Sequence, residues 1–152
     1  MYVNHIFKRY KLTMKGSQIY DPIRKKYIAL TPEEKVRQQM LKYMLQRLKV
    51  PAVKIGVERS LNSLGDTGNR KRVDICIFGV NEEIIAVIEC KADYICSGES
   101  PYQQAIDYVE SLKVRNYFVV DGWEINGYHY DYVRGQFDPV EEMPTYEEML
   151  AL

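Results

Sequence analysis

Cysteine is scarce in this chain of 152 residues, and its spacing follows no recognisable pattern. The three cysteines, Cys76, Cys90 and Cys96, are odd in number and include no CxxC pair. This argues against a disulfide framework and against a zinc knuckle. It favours free or buried thiols in a reducing compartment.

Long apolar runs are also missing. No segment approaches the roughly 20 apolar residues that a membrane helix needs, so we expect no membrane association. The first ten residues alternate basic and aromatic side chains and lack the apolar centre of a signal peptide, so we expect a cytoplasmic protein. The length fits one core, and we predict a single domain over residues 1–152.

An excess of one charge is absent, because 21 basic residues balance 21 acidic ones. A net charge of zero excludes a protein that coats polyanions without selectivity. The charge is nevertheless unevenly distributed. Basic clusters occupy 8–11, 24–26 and 70–72, and acidic pairs lie at 141–142 and 147–148. Most such clusters are solvated surface, but the cluster at 70–72 leads into the segment with the strongest chemical signal.

One helix is well marked in the sequence. Thr31 suits the N-cap, Pro32 the first turn and Glu34 the returning partner of a capping box. Apolar residues follow at helical spacing until Pro51 ends the helix: Val36, Met40, Leu41, Met44, Leu45 and Leu48. Residues 1–20, which precede this helix, are predicted to be an irregular lead-in.

The remaining elements give the order α-β-β-β-α-β-β. Strands are predicted at 53–58, 71–79, 84–91, 117–120 and 123–130, and a second helix opens at the capping signal Ser100-Pro101-Tyr102-Gln103. The strands at 71–79 and 84–91 are apolar on both faces, which is typical of central strands. The predicted fold is α/β of the α+β type, a mixed central sheet flanked by helices, with residues 138–152 as an acidic tail or short helix.

The two central strands carry the residues of chemical interest. Glu89 and Lys91 are two positions apart, so they share one face of their strand. If Gly79 pairs with Ile84 across the intervening loop, Asp74 lies directly opposite Glu89 on that same face. The same register places Arg72 opposite Lys91.

Two facing carboxylates repel each other, so they need a shared proton or a cation. Mg²⁺, or Mn²⁺ in its place, suits Asp74 and Glu89 because it takes oxygen ligands together with a substrate phosphate. It could activate a water molecule, which Lys91 could position or deprotonate. Two alternatives stay open: a strand end that merely meets solvent, and a structural ion-pair cluster in which Arg72 and Lys91 neutralise the carboxylates.

Several segments, taken in order, resemble one nuclease family. Asp74 followed by Glu89-Cys90-Lys91 is similar to the PD-(D/E)xK signature. The supporting segments are Leu30-Thr31-Pro32-Glu33-Glu34 with Arg37-Gln38, the strand end at Glu58, Arg72-Val73-Asp74-Ile75, and Gln104-Ala105-Ile106-Asp107-Tyr108. Over residues 20–130 the chain resembles the N-terminal nuclease domain of the motor subunit of type I restriction enzymes.

This resemblance implies a restriction-endonuclease-like core and Mg²⁺-dependent hydrolysis of DNA. It makes Asp74 and Glu89 the metal ligands, with the Cys90 backbone carbonyl as a candidate third, and Lys91 the motif lysine. Asp74, Glu89 and Lys91 are therefore the expected catalytic residues. Gln104 and Tyr108 match the family's Q-x-x-x-Y element and share one helical face. They are expected to approach the metal site or the DNA backbone, unless they are surface polarity and a core tyrosine.

Two acidic residues and one basic residue are candidates for a supporting role. Glu34 matches an acidic position that supports the metal centre in such nucleases, although the capping box with Thr31 explains it as well. Glu58 is either an acid beside the site or an ion-pair partner of Arg59 or Arg72. Arg72 itself is a candidate contact to DNA.

The sequence departs from the family in two ways. Val73 stands where the signature has proline, and no GxxxxGK[ST] phosphate loop occurs. We therefore expect no DNA translocation by this chain, which would act alone, as a homodimer or beside separate motor and specificity proteins in the bacterial cytoplasm. A nucleic-acid-binding or assembly module with weak or no cleavage is the alternative function.

Overall fold

Two β-sheets organise the chain in a computed structural model that describes residues 1–92 and 101–152. The helices are α1 Asn4–Phe7, α2 Pro32–Gln46, α3 Pro101–Leu112 and α4 Tyr146–Ala151. The strands are β1 Met14–Lys15, β2 Gln18–Asp21, β3 Lys26–Ala29, β4 Ile55–Ser60, β5 Arg72–Phe78, β6 Ile84–Cys90, β7 Asn116–Val120, β8 Ile125–Asp131 and β9 Gln136–Val140.

The larger sheet has the strand order β4-β5-β6-β7-β8-β9. Its pairs are antiparallel except β6 with β7, which run parallel and are joined through α3. The series α2-β4-β5-β6-α3-β7-β8 confirms the predicted order and the predicted mixed sheet. The proposed N-cap of α3, Ser100, and the third cysteine, Cys96, lie outside the described residues.

Each face of this sheet is covered by one helix. The apolar stripe of α2, which includes Met40 and Met44, packs on the face that presents Ile75 and Ile88. The opposite face meets α3 through Ala105 and Tyr108, which pack with Cys76, Val87 and Tyr117. No helix in the described ranges is both long and apolar enough to cross a membrane.

The register of β5 and β6 agrees with the prediction except at its turn. Ile75 pairs with Ile88, as the predicted register requires. The assumed pair of Gly79 with Ile84 is wrong, since Phe78 pairs with Ile84 and the register shifts by one residue between Ile77 and Phe78. The shift lies at the far end of the strands, so it leaves the alignment around Asp74 unchanged.

Two segments differ from the prediction. Residues 1–20 are not an irregular lead-in, because they contain α1, β1 and most of β2. The small antiparallel sheet β1-β2-β3 follows from this. Strand β9 was not predicted, whereas the short terminal helix was; α4 begins after a full capping box between Thr145 and Glu148.

Candidate active site

The predicted carboxylate pair forms at one end of the central strands. Asp74 of β5 precedes Ile75, Glu89 of β6 follows Ile88, and Ile75 pairs with Ile88, so the two carboxyl groups lie at the same end of the strand pair. The backbone N–H of Cys90 donates to Asp74 Oδ2 over 2.7 Å. This bond reaches a side chain instead of a strand carbonyl, so the backbone ladder between β5 and β6 ends at the site.

Glu89 is buried, with 9% of its surface exposed. Burial, then the charge of Asp74 and the hydrogen bond to it, raise the pKa of Glu89 to about 8. The Tyr108 hydroxyl, which donates to Glu89 Oε1, and the Lys91 ammonium act in the opposite direction but do not overcome these effects. Glu89 is therefore largely protonated at neutral pH, because burial and a neighbouring carboxylate both disfavour its charged form.

Gln104 and Tyr108 both face the sheet, as the Q-x-x-x-Y spacing predicts. Tyr108 is 2% exposed and bonds to Glu89, so it is at once a core residue and a neighbour of the site. Gln104 Oε1 accepts a hydrogen bond of 2.8 Å from the Tyr117 hydroxyl. The Tyr108 and Tyr117 rings lie 5.6 Å apart, and the Lys71 ammonium sits 5.1 Å from the Tyr108 ring centre.

Arg37 of α2 joins the carboxylates around this pair, and only 4% of it is exposed. Its Nη2 donates to Asp74 Oδ1 at 3.1 Å and to Glu58 Oε1 at 2.5 Å, while Nη1 donates to Glu34 Oε1 at 2.8 Å. Burial lowers the pKa of Arg37, but the three carboxylates more than offset it and raise the pKa overall. Sequence reasoning assigned no role to this residue.

Glu34 corrects the prediction of a capping box. Thr31 Oγ1 does accept the Glu34 backbone N–H, at 3.1 Å. The Glu34 carboxylate does not return to Thr31; it accepts from Arg24 Nη2, Arg37 Nη1 and Gln38 Nε2. Three cationic or polar donors hold this buried carboxylate more strongly than one backbone amide would.

A second buried carboxylate, Asp21, extends the network and was not anticipated. It is fully buried and accepts hydrogen bonds from Arg24 Nε at 2.7 Å and from Gln38 Nε2 at 3.0 Å. Burial alone would raise the pKa of Asp21, but bonds from the Arg24 backbone and side chain, Gln38 and Ile23 outweigh it, so the pKa is lowered. The available signal was the spacing of Glu34, Arg37 and Gln38, which puts polar groups on the buried face of α2.

Glu58 lies at the site in an unusual backbone conformation. It sits between the pairs Val57–Ile75 and Arg59–Val73, which places it beside Asp74. Its φ of +56° is left-handed, a conformation that costs a non-glycine residue about 1–3 kcal/mol and concentrates at functional sites. Arg72 Nη1 lies 3.8 Å from the Glu58 carboxylate, which also contacts Arg37. The expected alternatives thus both hold, because Glu58 is beside the site and near Arg72.

The β5–β6 pairing ends at Ile75 and Ile88, so the opposition of Arg72 and Lys91 stays a prediction. On its other side Arg72 pairs with Ser60 of β4, and its side chain is two-thirds exposed. The backbone N–H of Lys91 donates to Val120 O on β7. Within the described ranges no carboxylate pairs with the Lys91 ammonium within 4 Å, so the predicted ion-pair cluster is replaced by one centred on Arg37.

The side chains at the site meet part of what a divalent cation needs for binding. In residues 1–92 and 101–152 no three His, Cys, Asp or Glu residues are grouped as a metal site. Asp74 and Glu89 nevertheless supply neighbouring hard oxygen donors, and a divalent cation could take the place of the proton on Glu89. The Cys90 side chain is unsuited, because burial and then Asp74 raise the pKa of its thiol. Only its carbonyl could contribute.

The fold and the site define an α+β domain with a partly buried carboxylate pair where two central strands end. Comparison with protein families then gives the assignment. The model of the family described as "Type I restriction enzyme R protein N terminus (HSDR_N)" matches residues 32–144, and the chain belongs to this family. The resemblance inferred from the sequence is thereby confirmed.

One solved structure is similar to part of the chain. It is the fragment structure of a putative HsdR subunit of a type I restriction enzyme from Vibrio vulnificus YJ016, at 27% identity and a TM-score of 0.40. The match covers 55% of this chain and 16% of that one, so the chain spans a small part of that protein. Comparison with curated proteins gives no match.

Proposed function

We propose that this domain is a Mg²⁺-dependent DNA endonuclease that hydrolyses phosphodiester bonds at the Asp74–Glu89 pair. The observation that carries the proposal is the meeting of the Asp74 and Glu89 carboxyl groups at the end of the two central strands, where burial and the charge of Asp74 raise the pKa of Glu89. Membership of the type I restriction R protein family supports a nuclease-related role. Lys91, two residues beyond Glu89, completes the motif.

The roles follow from the contacts. Asp74, Glu89 and the Cys90 carbonyl would hold the cation, which when bound supplies neutralising charge for the scissile phosphate and lowers the pKa of water. Lys91 would orient the attacking water or accept its proton. Tyr108 fixes the position of Glu89 through its hydroxyl, and Arg37 fixes that of Asp74.

The partners and the location are part of this proposal. DNA is the substrate, and separate motor and specificity proteins or a second copy of the chain would supply affinity that a net charge of zero does not. The bacterial cytoplasm is the expected compartment. Arg72, which is exposed beside Glu58, would contact the DNA backbone.

A second candidate is a nucleic-acid-binding or assembly module with weak or no cleavage. The observation that favours it is the Arg37 guanidinium, which already occupies Asp74 Oδ1 and Glu58 Oε1. A cation at Asp74 must compete with this contact. Under this alternative Arg37 replaces the metal permanently.

Cleavage assays separate the two candidates. Supercoiled, linear, branched and single-stranded DNA would be incubated with the protein in Mg²⁺, in Mn²⁺ and in EDTA. We expect cleavage only with a divalent cation and its complete loss in the Lys91→Ala variant. The matched control is Lys42→Ala, a half-buried lysine on α2, which should cleave like the wild type. Binding without cleavage under every condition would support the second candidate.

A further inference from the structure

A groove of about 480 Å³ lies beside the proposed active site and is not used by the chemistry above. Its walls are α1 with the residue after it, the first two turns of α2, and the turn between β7 and β8. Lys8, Lys35 and Trp123 are the side chains on it that can bind a ligand through charge or stacking. No acidic residue lines the described part of this groove.

The groove is built into the fold. The backbone N–H groups of Val3 and Asn4 both donate to Trp123 O, at 2.8 and 3.2 Å, and the Asn4 side chain donates to Gly122 O. Asp121 Oδ1 in turn accepts the Trp123 backbone N–H at 2.7 Å. These bonds fix the wall of α1 to the turn that carries Trp123, so the groove exists before any ligand arrives.

The chemistry of the groove suits a nucleic acid strand. Lys8 and Lys35 are exposed on opposite walls, and Lys8 belongs to the basic cluster at 8–11. Trp123, which lines the same groove, is large, aromatic and 44% exposed. Two ammonium groups and an indole in one groove match the phosphates and a base of a strand, since base stacking on aromatic side chains and backbone charge are the two terms of single-strand binding.

The groove is within reach of the proposed site. Lys91 N bonds to Val120 O, and Trp123 follows Val120 by three residues, at most about 10 Å of extended chain. On the other wall, Thr31 lines the groove and caps the helix that carries Glu34. A strand bound in the groove would therefore lie close to the end of β6, where Glu89 and Lys91 stand.

We propose that this groove binds single-stranded DNA next to the cleaved bond, with a base stacked on Trp123 and phosphates at Lys8 and Lys35. Single strands are favoured over duplex because paired bases stack on one another and do not present a free face to Trp123. The choice of DNA as the ligand rests on the proposed nuclease function. The binding geometry rests on the groove alone.

Trp123 is the single tryptophan of the chain, so its fluorescence reports on the groove directly. The wild-type protein would be titrated in EDTA, where no cleavage is expected, with an oligothymidine and with an abasic strand of equal length and charge. We expect the oligothymidine to quench the fluorescence and the abasic strand to leave it unchanged. Unchanged fluorescence with the oligothymidine at concentrations that saturate binding would overturn the proposal.

Affinities measured by anisotropy of labelled strands test the individual residues. Trp123→Ala should weaken oligothymidine binding about 5- to 150-fold and leave abasic binding unchanged. Lys8→Ala combined with Lys35→Ala should lower the slope of affinity against salt by about 1.4. The control pair Lys15→Ala and Lys26→Ala, exposed on the small sheet, should leave the slope as it is.

The outcomes distinguish this inference from the nuclease proposal. Quenching and a Trp123→Ala effect without any cleavage would keep the groove and overturn the nuclease. Cleavage that persists while Trp123→Ala binds oligothymidine like the wild type would overturn the groove and keep the nuclease. Because Trp123 is partly exposed and its bonds are made by backbone atoms, thermal melts should show the variant folded.

Discussion

At the scale of single residues, Arg37 controls the electrostatics of the site. It is buried among Asp74, Glu58 and Glu34, and it is the buried cation that contacts all three. A buried charge of this kind stabilises only while its partners are present, because each was removed from water on folding. The guanidinium thus substitutes for part of the charge that a divalent cation would provide.

Replacing Arg37 with Met tests this role. The variant leaves one buried and two partly buried carboxylates without their shared cation, so we expect a loss of about 3–5 kcal/mol in the free energy of unfolding in EDTA. Mg²⁺ should recover part of the loss, since it can neutralise Asp74. Chemical denaturation with and without Mg²⁺ measures both effects. Arg134→Met, an exposed ion pair with Asp138, should cost less than about 1 kcal/mol. An Arg37→Met protein as stable as wild type would refute the role.

Tyr108 is the second residue whose role can be isolated. In Tyr108→Phe the ring keeps its place against Tyr117, but the hydrogen bond to Glu89 is lost. We expect metal affinity or cleavage to fall about 10- to 100-fold while the melting temperature changes little. The matched control is Tyr128→Phe, since Tyr128 lies on β8 and its ring packs against Phe137 of β9. Unchanged cleavage in Tyr108→Phe would mean that the hydroxyl has no positioning role.

At the scale of elements, α2 has two structural roles. It packs an apolar stripe on the sheet, which the sequence predicted, and it contributes buried polar residues to the site, which the sequence did not predict. Its apolar stripe follows from periodicity, and the structure buries Met40, Leu41 and Met44 completely. Its polar residues Arg37 and Gln38 are buried as well, which periodicity cannot predict because their partners include residues on β2, β4 and β5. Contacts between elements distant in sequence decide where a charged residue is placed.

The link between the end of β2 and α2 gives a pH-dependent prediction. Asp21 has a lowered pKa in the folded protein, so its stabilising effect is present above the unfolded pKa of about 3.9 and is lost as the pH falls through the folded value. Asp21→Asn should therefore cost about 2 kcal/mol near pH 7, and the difference from wild type should shrink below pH 4. Melting curves between about pH 2.5 and pH 7 would measure this difference in stability.

The exposed Asp107→Asn is the control for that series, and it should lower the melting temperature much less. A constant difference between Asp21→Asn and wild type across the whole range would contradict the assignment. It would mean that the substitution acts through packing and not through the charge held by Arg24 and Gln38.

At the scale of the whole molecule, the central strands were predictable and the outer ones were not. β5 and β6 are buried on both faces and read as apolar runs, so their register followed from counting residues. β1 and β3 are largely exposed, and β9 is an edge strand that contains Pro139, so neither alternation nor apolar content marks them. Asp74 and Glu89 lie on these two central strands, so their proximity could be predicted. Asp21 lies on β2 of the small sheet, which was not predicted, so its network was missed.

The central claim, that Asp74 and Glu89 form a divalent-cation site, is tested most directly by titrating Mg²⁺ and Mn²⁺ into the protein by calorimetry. We expect wild type and Lys91→Ala to bind a cation, because lysine is not a ligand, and Asp74→Asn to bind it more weakly, because one of two anionic ligands is lost. No binding by wild type, together with a large loss of stability in Asp74→Asn, would instead show that the carboxylates serve the Arg37 ion-pair cluster alone.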